Sequence, residues 1–121
     1  MKRDWNLIRE ILLEIEAQKS FVTSSLEYGE TIKTHSPEKN ANAILLWESH
    51  FIKGIDITTD VHGKGLMSPE LTWDGHDLLV TIESKPVWER IKSTAQDKGI
   101  ELSFDAVKAL GKIALAAIIG G

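Results

Sequence analysis

A single β-hairpin pattern interrupts a chain that otherwise shows helical spacing. Residues 55–59, Ile-Asp-Ile-Thr-Thr, alternate apolar and polar side chains and are rich in β-branched residues, and residues 66–71 can form the returning strand. Between them, His62-Gly63-Lys64-Gly65 supplies a glycine-rich tip. A hairpin packed on a helical core is an α+β arrangement. We therefore expect an α+β fold in which this hairpin packs on helices.

Two helices are predicted before the hairpin. The first has Asp4 as its N-cap, followed by apolar residues at three- and four-residue spacing: Leu7, Ile8, Ile11, Leu12 and Ile15. The second starts at Ser36 and Pro37, an N-cap and a proline at the first helical position, and runs to about His50. Residues 20–34 give a weak signal, which we interpret as a short helix or strand with loops.

Three helices are predicted after the hairpin. Thr72 is expected to cap the first of them, Pro86 starts the next, and Ser103 caps the last, which extends to about Ile119. A soft boundary at Ser84-Lys85-Pro86 divides the chain into a core of residues 1–84 and a C-terminal helical extension of residues 85–121.

Length and composition exclude several protein classes. A chain of 121 residues with 42% apolar residues can bury a core without a disulfide or a metal, and it has no Cys. The net charge of −4 argues against a polybasic nucleic-acid binder. The chain begins without an apolar signal segment, and its most apolar stretch, residues 113–119, is too short to span a membrane. We expect a cytoplasmic protein.

Four blocks of sequence carry a family resemblance. They are residues 1–9 (Met-Lys-Arg-Asp-Trp-Asn-Leu-Ile-Arg), residues 71–79 (Leu-Thr-Trp-Asp-Gly-His-Asp-Leu-Leu), Val87-Trp88, and Leu102-Ser103-Phe104. The chain resembles the domain-of-unknown-function family 2513, whose members are small bacterial and prophage proteins. That resemblance implies a winged-helix core, and it implies no activity.

A wider resemblance concerns the ends of the hairpin. Leu71-Thr72 with Gly75 is similar to a string that follows the wing in winged-helix regulators, and Leu46 followed by Phe51-Ile52 resembles the end of their recognition helix. Such regulators have Gly where this chain has His50. The resemblance therefore implies a left-handed backbone conformation at His50.

In a winged helix-turn-helix domain the helix before the hairpin can enter a major groove. On that helix Lys39, Asn40 and Asn42 are the side chains suited to base edges and phosphates, and Lys64 at the hairpin tip could meet a phosphate. The first hypothesis is therefore a DNA-binding regulator of prophage or mobile-element type. Acids near these residues weaken it, because neutralisation of phosphates dominates DNA affinity: Glu38 and Glu48 lie on the same helix, and Asp56 and Asp60 lie on the hairpin.

The alternative hypothesis is a winged-helix module that binds a protein, such as a toxin or a defence component. Residues 44–47 are consecutive apolar residues, and a helix cannot turn all four toward one core. If Ala43 and Leu46 face inward, Ile44 or Leu45 should be partly exposed, and Ile44 and Trp47 become candidate contacts. The alternative, which we favour, is that residues 20–34 cover this apolar strip.

The last helix is apolar on nearly every side after Lys112. In water such a helix has to be buried, either in its own core or against a second copy. We expect a homodimer with Ile113 and Ile118 among its contacts, since closed two-fold pairs are the commonest oligomers.

Catalysis has little support in the sequence. The four His residues lack metal-ligand spacing, and no Ser or carboxylate is arranged with them as a catalytic set. Gly63-Lys64-Gly65 lacks the flanking residues of a phosphate-binding loop. We expect a protein that is not an enzyme and that uses no cofactor or metal.

Overall fold

The computed structural model describes residues 3–18 and 26–119, the last two of them by backbone alone. The described residues form five helices and one three-stranded antiparallel sheet, so the α+β class is confirmed. In chain order the elements are α1 (Trp5–Glu16), β1 (Glu27–Gly29), α2 (Pro37–Glu48), β2 (Ile52–Asp56), β3 (Gly65–Leu71), α3 (Trp73–Glu83), α4 (Lys85–Lys98) and α5 (Phe104–Ile119). None of these helices has the length and apolar content that crossing a membrane requires.

Helix α1 begins where the sequence predicts. The Asp4 carboxylate accepts hydrogen bonds from the backbone N–H groups of Asn6 and Leu7, which would otherwise lack a partner in the first turn. Its buried stripe consists of Ile8, Ile11, Leu12 and Ile15. The predicted cap and four of the five predicted core positions are confirmed.

The sheet has the order β1-β3-β2, with both strand pairs antiparallel. Leu66 of β3 is buried and lies opposite Tyr28 of β1 and Asp56 of β2. The weak signal before α2 therefore contains a strand at residues 27–29. Residues 20–25, which belong to the same prediction, lie outside the described part of the chain.

The predicted bounds of the first hairpin strand are wrong. The expected strand covered residues 55–59, whereas β2 covers Ile52–Asp56 and contains an irregularity between Lys53 and Ile55. The Asp56 carboxylate at the end of β2 accepts a hydrogen bond from the N–H of Thr58 at 2.9 Å. Pairing across the hairpin continues past β2, because the N–H of Ile57 donates to the carbonyl of Gly65 and Thr59 forms an isolated antiparallel bridge with Gly63.

Helix α2 is followed by a left-handed residue. His50 has φ of 66°, as the resemblance to winged-helix regulators implied. The N–H of Phe51 then donates to the carbonyl of Leu46 at 2.9 Å, which closes the end of the helix before β2 starts.

Thr72 and Gly75 join the start of α3 to the end of α2. The Thr72 hydroxyl accepts from the N–H of Gly75 at 3.1 Å and lies 2.7 Å from the carbonyl oxygen of His50, to which it donates. A Cβ on Gly75 would lie 2.0 Å from the carbonyl oxygen of Phe51, so only glycine allows this approach. The predicted cap at Thr72 is confirmed. Thr72 and Gly75, which belong to the sequence block of residues 71–79, therefore have a structural role.

The chain divides into two compact units, residues 1–76 and residues 77–121. The second unit contains the rest of α3, α4 and α5. Its buried side chains include Leu78, Ile82, Val87, Trp88, Ile91 and Val107. Gly99, with φ of 66°, ends α4, and the Ser103 hydroxyl accepts from the N–H of Ala106 at the start of α5. That residues 1–84 form a separate winged core stays a prediction.

Candidate functional site

Lys39, the first of the residues predicted to contact DNA, is buried at 8% exposure. Its ammonium lies 2.9 Å from Glu14 Oε2 and 3.3 Å from Glu10 Oε1, both on α1. The other oxygen of Glu14 accepts from the hydroxyl of Tyr28 at 2.5 Å, and the Tyr28 ring stacks on His35. Lys39 therefore connects α2 to α1 and, through Glu14, to β1.

This cluster shifts the pKa values of its members. Burial raises the pKa of Glu14, but hydrogen bonds from Tyr28 and Lys39 outweigh burial and hold that pKa below the ordinary 4.5. Burial lowers the pKa of Lys39, but the two carboxylates raise it above 10.5. Burial and the bond to Glu14 raise the pKa of Tyr28 far above its ordinary range. Each of these groups is held in the form it has at neutral pH.

Asn40 is buried at 3% exposure, and both ends of its amide have partners. Its Oδ1 accepts from the N–H of Gly29 at 3.1 Å, and its Nδ2 donates to the carbonyl of Ile32 at 2.8 Å. The side chain therefore satisfies backbone groups at the end of β1 and in the turn that follows.

Asn42 is buried at 2% exposure and connects the starts of two helices. Its Oδ1 accepts from the N–H of Asp4 at 2.9 Å, and its Nδ2 donates to the carbonyl of Glu38 at 2.8 Å. The expectation that Lys39, Asn40 and Asn42 are surface side chains is wrong. Their polar atoms are used inside the fold, so contact with a base would require breaking these bonds.

Lys64 is the one exposed member of the predicted DNA-binding set. Its ammonium lies 3.1 Å from Glu48 Oε1 at the end of α2, and its backbone N–H donates to Glu30 Oε2 at 3.0 Å. The hydroxyl of Thr31 also donates to the carbonyl of His62. The hairpin tip is thus attached both to α2 and to the turn after β1, and the positive charge of Lys64 faces an acid.

The outward face of α2 carries a different set of side chains. Residues 38, 41, 45 and 48 lie within one helical stripe, because their spacing of three, four and three follows the helical repeat. Glu38 and Glu48 are exposed, and Ala41 and Leu45 are partly exposed. We call these four residues the α2 outer stripe. It has two acids, two apolar residues and no base.

The remaining apolar candidates on α2 have different surroundings. Ala43 and Leu46 are fully buried, as expected, and Leu45 is partly exposed. Ile44 is 9% exposed, so the predicted contact role of Ile44 does not fit its burial. Trp47 is partly exposed and lines a groove of about 420 Å³ between the end of α2 and the hairpin, together with Glu48, His50, Ile52, Lys53 and Asp56.

A second cavity lies at the other end of the outer stripe. It has a volume of about 650 Å³ and is lined by Arg3, Asp4, Trp5, Pro37, Glu38 and Ala41, with Asn42 in its wall. Both ends of the α2 outer stripe therefore border recesses that a partner's side chains could enter.

The charge of the chain is concentrated in the unit that carries α2. Residues 1–76 contain twelve acids and eight bases, whereas residues 77–121 contain six of each, so the net charge of −4 belongs to the first unit. Among the residues that the structure describes, no three His, Asp or Glu side chains are grouped so that they could hold a metal ion. His76 lies 3.8 Å from Glu16, and its ring lies beside the exposed ring of Trp73.

The predicted dimer contacts lie on α5. Ile113 is 59% exposed, which leaves it available for a contact. Ile118 belongs to the same helix, and its side chain lies outside the described part of the chain.

Comparison with known proteins identifies the family. A family model described as hypothetical protein (DUF2513) matches residues 2–101. The chain belongs to the DUF2513 family. It is also similar to a protein of Haemophilus influenzae that has the name "uncharacterized protein", with 34% identity over 125 residues, which covers 98% of this chain and 99% of the relative. No solved structure matches the chain. The family membership predicted from the four sequence blocks is confirmed.

Sequence reasoning for this DUF2513 protein predicted that Ile44 or Leu45 is partly exposed, but it did not group Leu45 with Glu38, Ala41 and Glu48 as the α2 outer stripe, although a signal for it existed. Once Ser36 fixes the helix start and Ala43 and Leu46 are placed inside, the helical repeat puts Glu38, Ala41 and Leu45 outside. The burial of Lys39 and the two Asn residues had no such signal, because most of their partners lie 8 to 38 residues away in the sequence.

Proposed function

We propose that residues 1–76 form a winged-helix-type module that binds another protein through the α2 outer stripe. The order of elements supports a winged-helix comparison: α1, β1 and α2 precede a β2–β3 hairpin, and β3 lies between the other two strands. In that comparison α2 takes the place of the recognition helix and the hairpin takes the place of the wing.

The observation that carries the proposal is the chemistry of the outward face of α2. A helix that docks on DNA needs Lys, Arg or amide side chains on its outer face, because phosphates and base edges are its targets. The outer stripe has Glu38 and Glu48 instead, with Ala41 and Leu45 between them, and Lys64 on the adjacent hairpin is paired with Glu48. If the outer stripe faced DNA, its two acids would repel the phosphates. A protein surface can instead present basic side chains that are complementary to these acids.

The segment before α2 also favours a protein partner. In a helix-turn-helix, a helix that crosses the DNA backbone directly precedes the recognition helix. Here residues 30–36, which connect β1 to α2, form turns. Within residues 26–48 the DNA-positioning half of the motif is therefore replaced by a strand and a turn.

The spacing of the stripe indicates the chemistry of the partner. Glu38 and Glu48 are ten residues apart, which is about 15 Å along a helix. A matching surface has apolar side chains at its centre and basic side chains on either side. An amphipathic helix with Lys or Arg flanking its apolar face meets this requirement.

The test is quantitative affinity purification of the tagged chain from cells that naturally produce it. We expect at least one protein to be enriched on the unmodified chain and lost on an Ala41→Arg variant, because Arg adds bulk and positive charge at the centre of the stripe. Gln96→Arg on the exposed surface of α4 is the matched control and should retain that protein. Equal recovery on all three chains would remove the α2 outer stripe from the interface.

A second variant tests the flanking charge. Glu38→Arg changes an exposed side chain and should weaken capture of the same protein by reversing one of the two flanking charges. Thermal unfolding of each variant checks its fold, because Ala41 is only partly exposed and Glu38 lies in the first turn of α2, where the helix dipole favours an acid. Capture that is insensitive to Glu38→Arg would argue against a basic partner.

A further inference from the structure

The outward face of α5 carries exposed apolar side chains and has no covering element among the described residues. Its inner face is buried through Val107, Leu110 and Ala114. On the outer face Ala109, Ala116 and Ala117 are exposed, and Ile113 is 59% exposed in the middle of them. Covering the exposed apolar surface of Ile113 with a partner is favourable, because it removes that surface from water.

Two opposite charges lie on this face, on either side of Ala109. Asp105 and Lys112 are both exposed and are seven residues apart, which places them on one side of the helix about 10 Å from each other. Within the described residues neither forms an ion pair. Lys108, which is partly exposed, lies at one edge of this face, and Ala109 lies between the two charges. A face with Asp105 at one end and Lys112 at the other pairs opposite charges with a second copy of itself that is turned around.

We propose that this face is the contact surface of a homodimer in which the α5 helices of two copies pack antiparallel. A two-fold axis near residues 108 and 109 sets Asp105 of each copy level with Lys112 of the other, so two ion pairs form. Ala109 lies at the crossing point, where its small side chain allows the helix axes to approach closely. Ile113 lies level with the first turn of the partner's α5.

The single helix pair sets the strength of the dimer. A contact formed by one helix from each copy buries less surface than the standard interface of about 1,600 Å². We therefore expect the dimer to have a dissociation constant in the range of about micromolar. The two ion pairs lie at the rim of the contact and are exposed to solvent, so dimerisation should weaken as salt is raised. The proposal uses residues of α5 alone and is independent of the function proposed for α2.

The experiment is sedimentation equilibrium of the full-length chain, with a charge exchange as the decisive comparison. The unmodified chain should dimerise, and Ile113→Asp should weaken the dimer at least about 10-fold by placing an acid in the apolar contact. Asp105→Lys alone and Lys112→Asp alone should each weaken it, because like charges then face each other. The double variant Asp105→Lys, Lys112→Asp should restore the dissociation constant to within about 3-fold of the original.

Three outcomes would overturn the proposal. They are a chain that is monomeric at about 100 µM, a dimer that Ile113→Asp leaves intact, and a double variant that is no tighter than either single variant. Gln96→Asp on α4 is the control and should leave the dimer unchanged. Circular dichroism confirms folding of each variant, since all of the substituted side chains are exposed.

Discussion

The ammonium of Lys39 lies between the carboxylates of Glu10 and Glu14 on a neighbouring helix, and the hydroxyl of Tyr28 completes the cluster. At the residue scale, these contacts hold the inner side of α2 against α1 and, through Glu14, connect it to β1. A Lys that is 90% buried loses hydration, and its two carboxylate partners offset that loss. The same geometry removes Lys39 from the surface where a DNA contact would need it.

The first prediction concerns this ion pair. Lys39→Met keeps the length and apolar stem of the side chain but leaves the partly buried carboxylate of Glu14 without its cation. We expect a loss of about 2 kcal/mol in the free energy of unfolding, measured by urea denaturation. Lys33→Met, at an exposed position in the turn before α2, should change it by less than about 0.5 kcal/mol. Equal stability of the two variants would show that the Lys39 contacts do not stabilise the fold.

The second prediction follows from the signs of the pKa shifts. The pKa of Glu14 is lowered in the fold, so its contribution is present above its ordinary pKa of 4.5 and is lost as pH falls through the lower folded pKa. The pKa values of Lys39 and Tyr28 are raised, so their contributions are present below their ordinary values of 10.5 and 10.0 and are lost at higher pH.

Urea denaturation curves at a series of pH values measure how the free energy of unfolding depends on pH. We expect a plateau of stability between about pH 5 and pH 10, with a decline on both sides. The acid-side decline should be smaller in Lys39→Met, because Glu14 then starts from a higher pKa in the folded state. An identical acid limb in both chains would contradict the assignment of this pKa shift to Lys39.

At the scale of elements, the junction between α2 and α3 explains part of the string that carries the family resemblance. Thr72 bonds both the start of α3 and the end of α2, and Gly75 lets the two backbones come together. Thr72 and Gly75 therefore hold together the end of α2, after which the hairpin begins, and the start of α3, which follows the hairpin. Packing within residues 1–76 is therefore sufficient to explain why Thr and Gly stand at positions 72 and 75, and no ligand is needed for that explanation.

The third prediction tests this junction. Gly75→Ala should lower the free energy of unfolding by more than about 2 kcal/mol, although Ala favours a helix by about 1 kcal/mol, because the new Cβ would lie 2.0 Å from a backbone oxygen that cannot move freely. Gly99→Ala is the comparison: it meets open space and only the strain of a left-handed residue, so it should cost about 1 kcal/mol. A milder effect at Gly75 than at Gly99 would contradict the role assigned to the close approach.

Local signals in the sequence predicted most of the elements. Asp4, Ser36, Thr72 and Ser103 each cap the helix that they were expected to start, since a cap needs only residues within the next turn. The extent of β2 was not predictable in this way, because an irregularity shifts its pairing with β3. The burial of Asn40 and Asn42 depends on contacts with β1 and with the start of α1, which no local pattern encodes.

At the scale of the whole molecule, the two units differ in charge and in the kind of surface they offer. The unit of residues 1–76 carries the net charge of −4 and exposes acids on α2, whereas the unit of residues 77–121 has balanced charge and an exposed apolar face on α5. We interpret the first as the surface for another protein and the second as the surface for a second copy. Both proposals rest on side chains that are exposed or partly exposed in the described structure.

The fourth prediction tests the central claim, that the α2 outer stripe contacts a protein and not DNA. The measurement is a fluorescence titration of labelled duplex DNA, of random sequence and of the region upstream of the coding sequence, with the purified chain at about 50 mM salt, where electrostatic binding is strong. The account predicts no binding tighter than about 100 µM to either duplex, because the stripe has no base and Lys64 is paired with Glu48. Binding of the upstream duplex at about 0.1 µM or tighter that weakens steeply between about 50 and 200 mM salt would contradict it, and would make the chain a DNA-binding regulator.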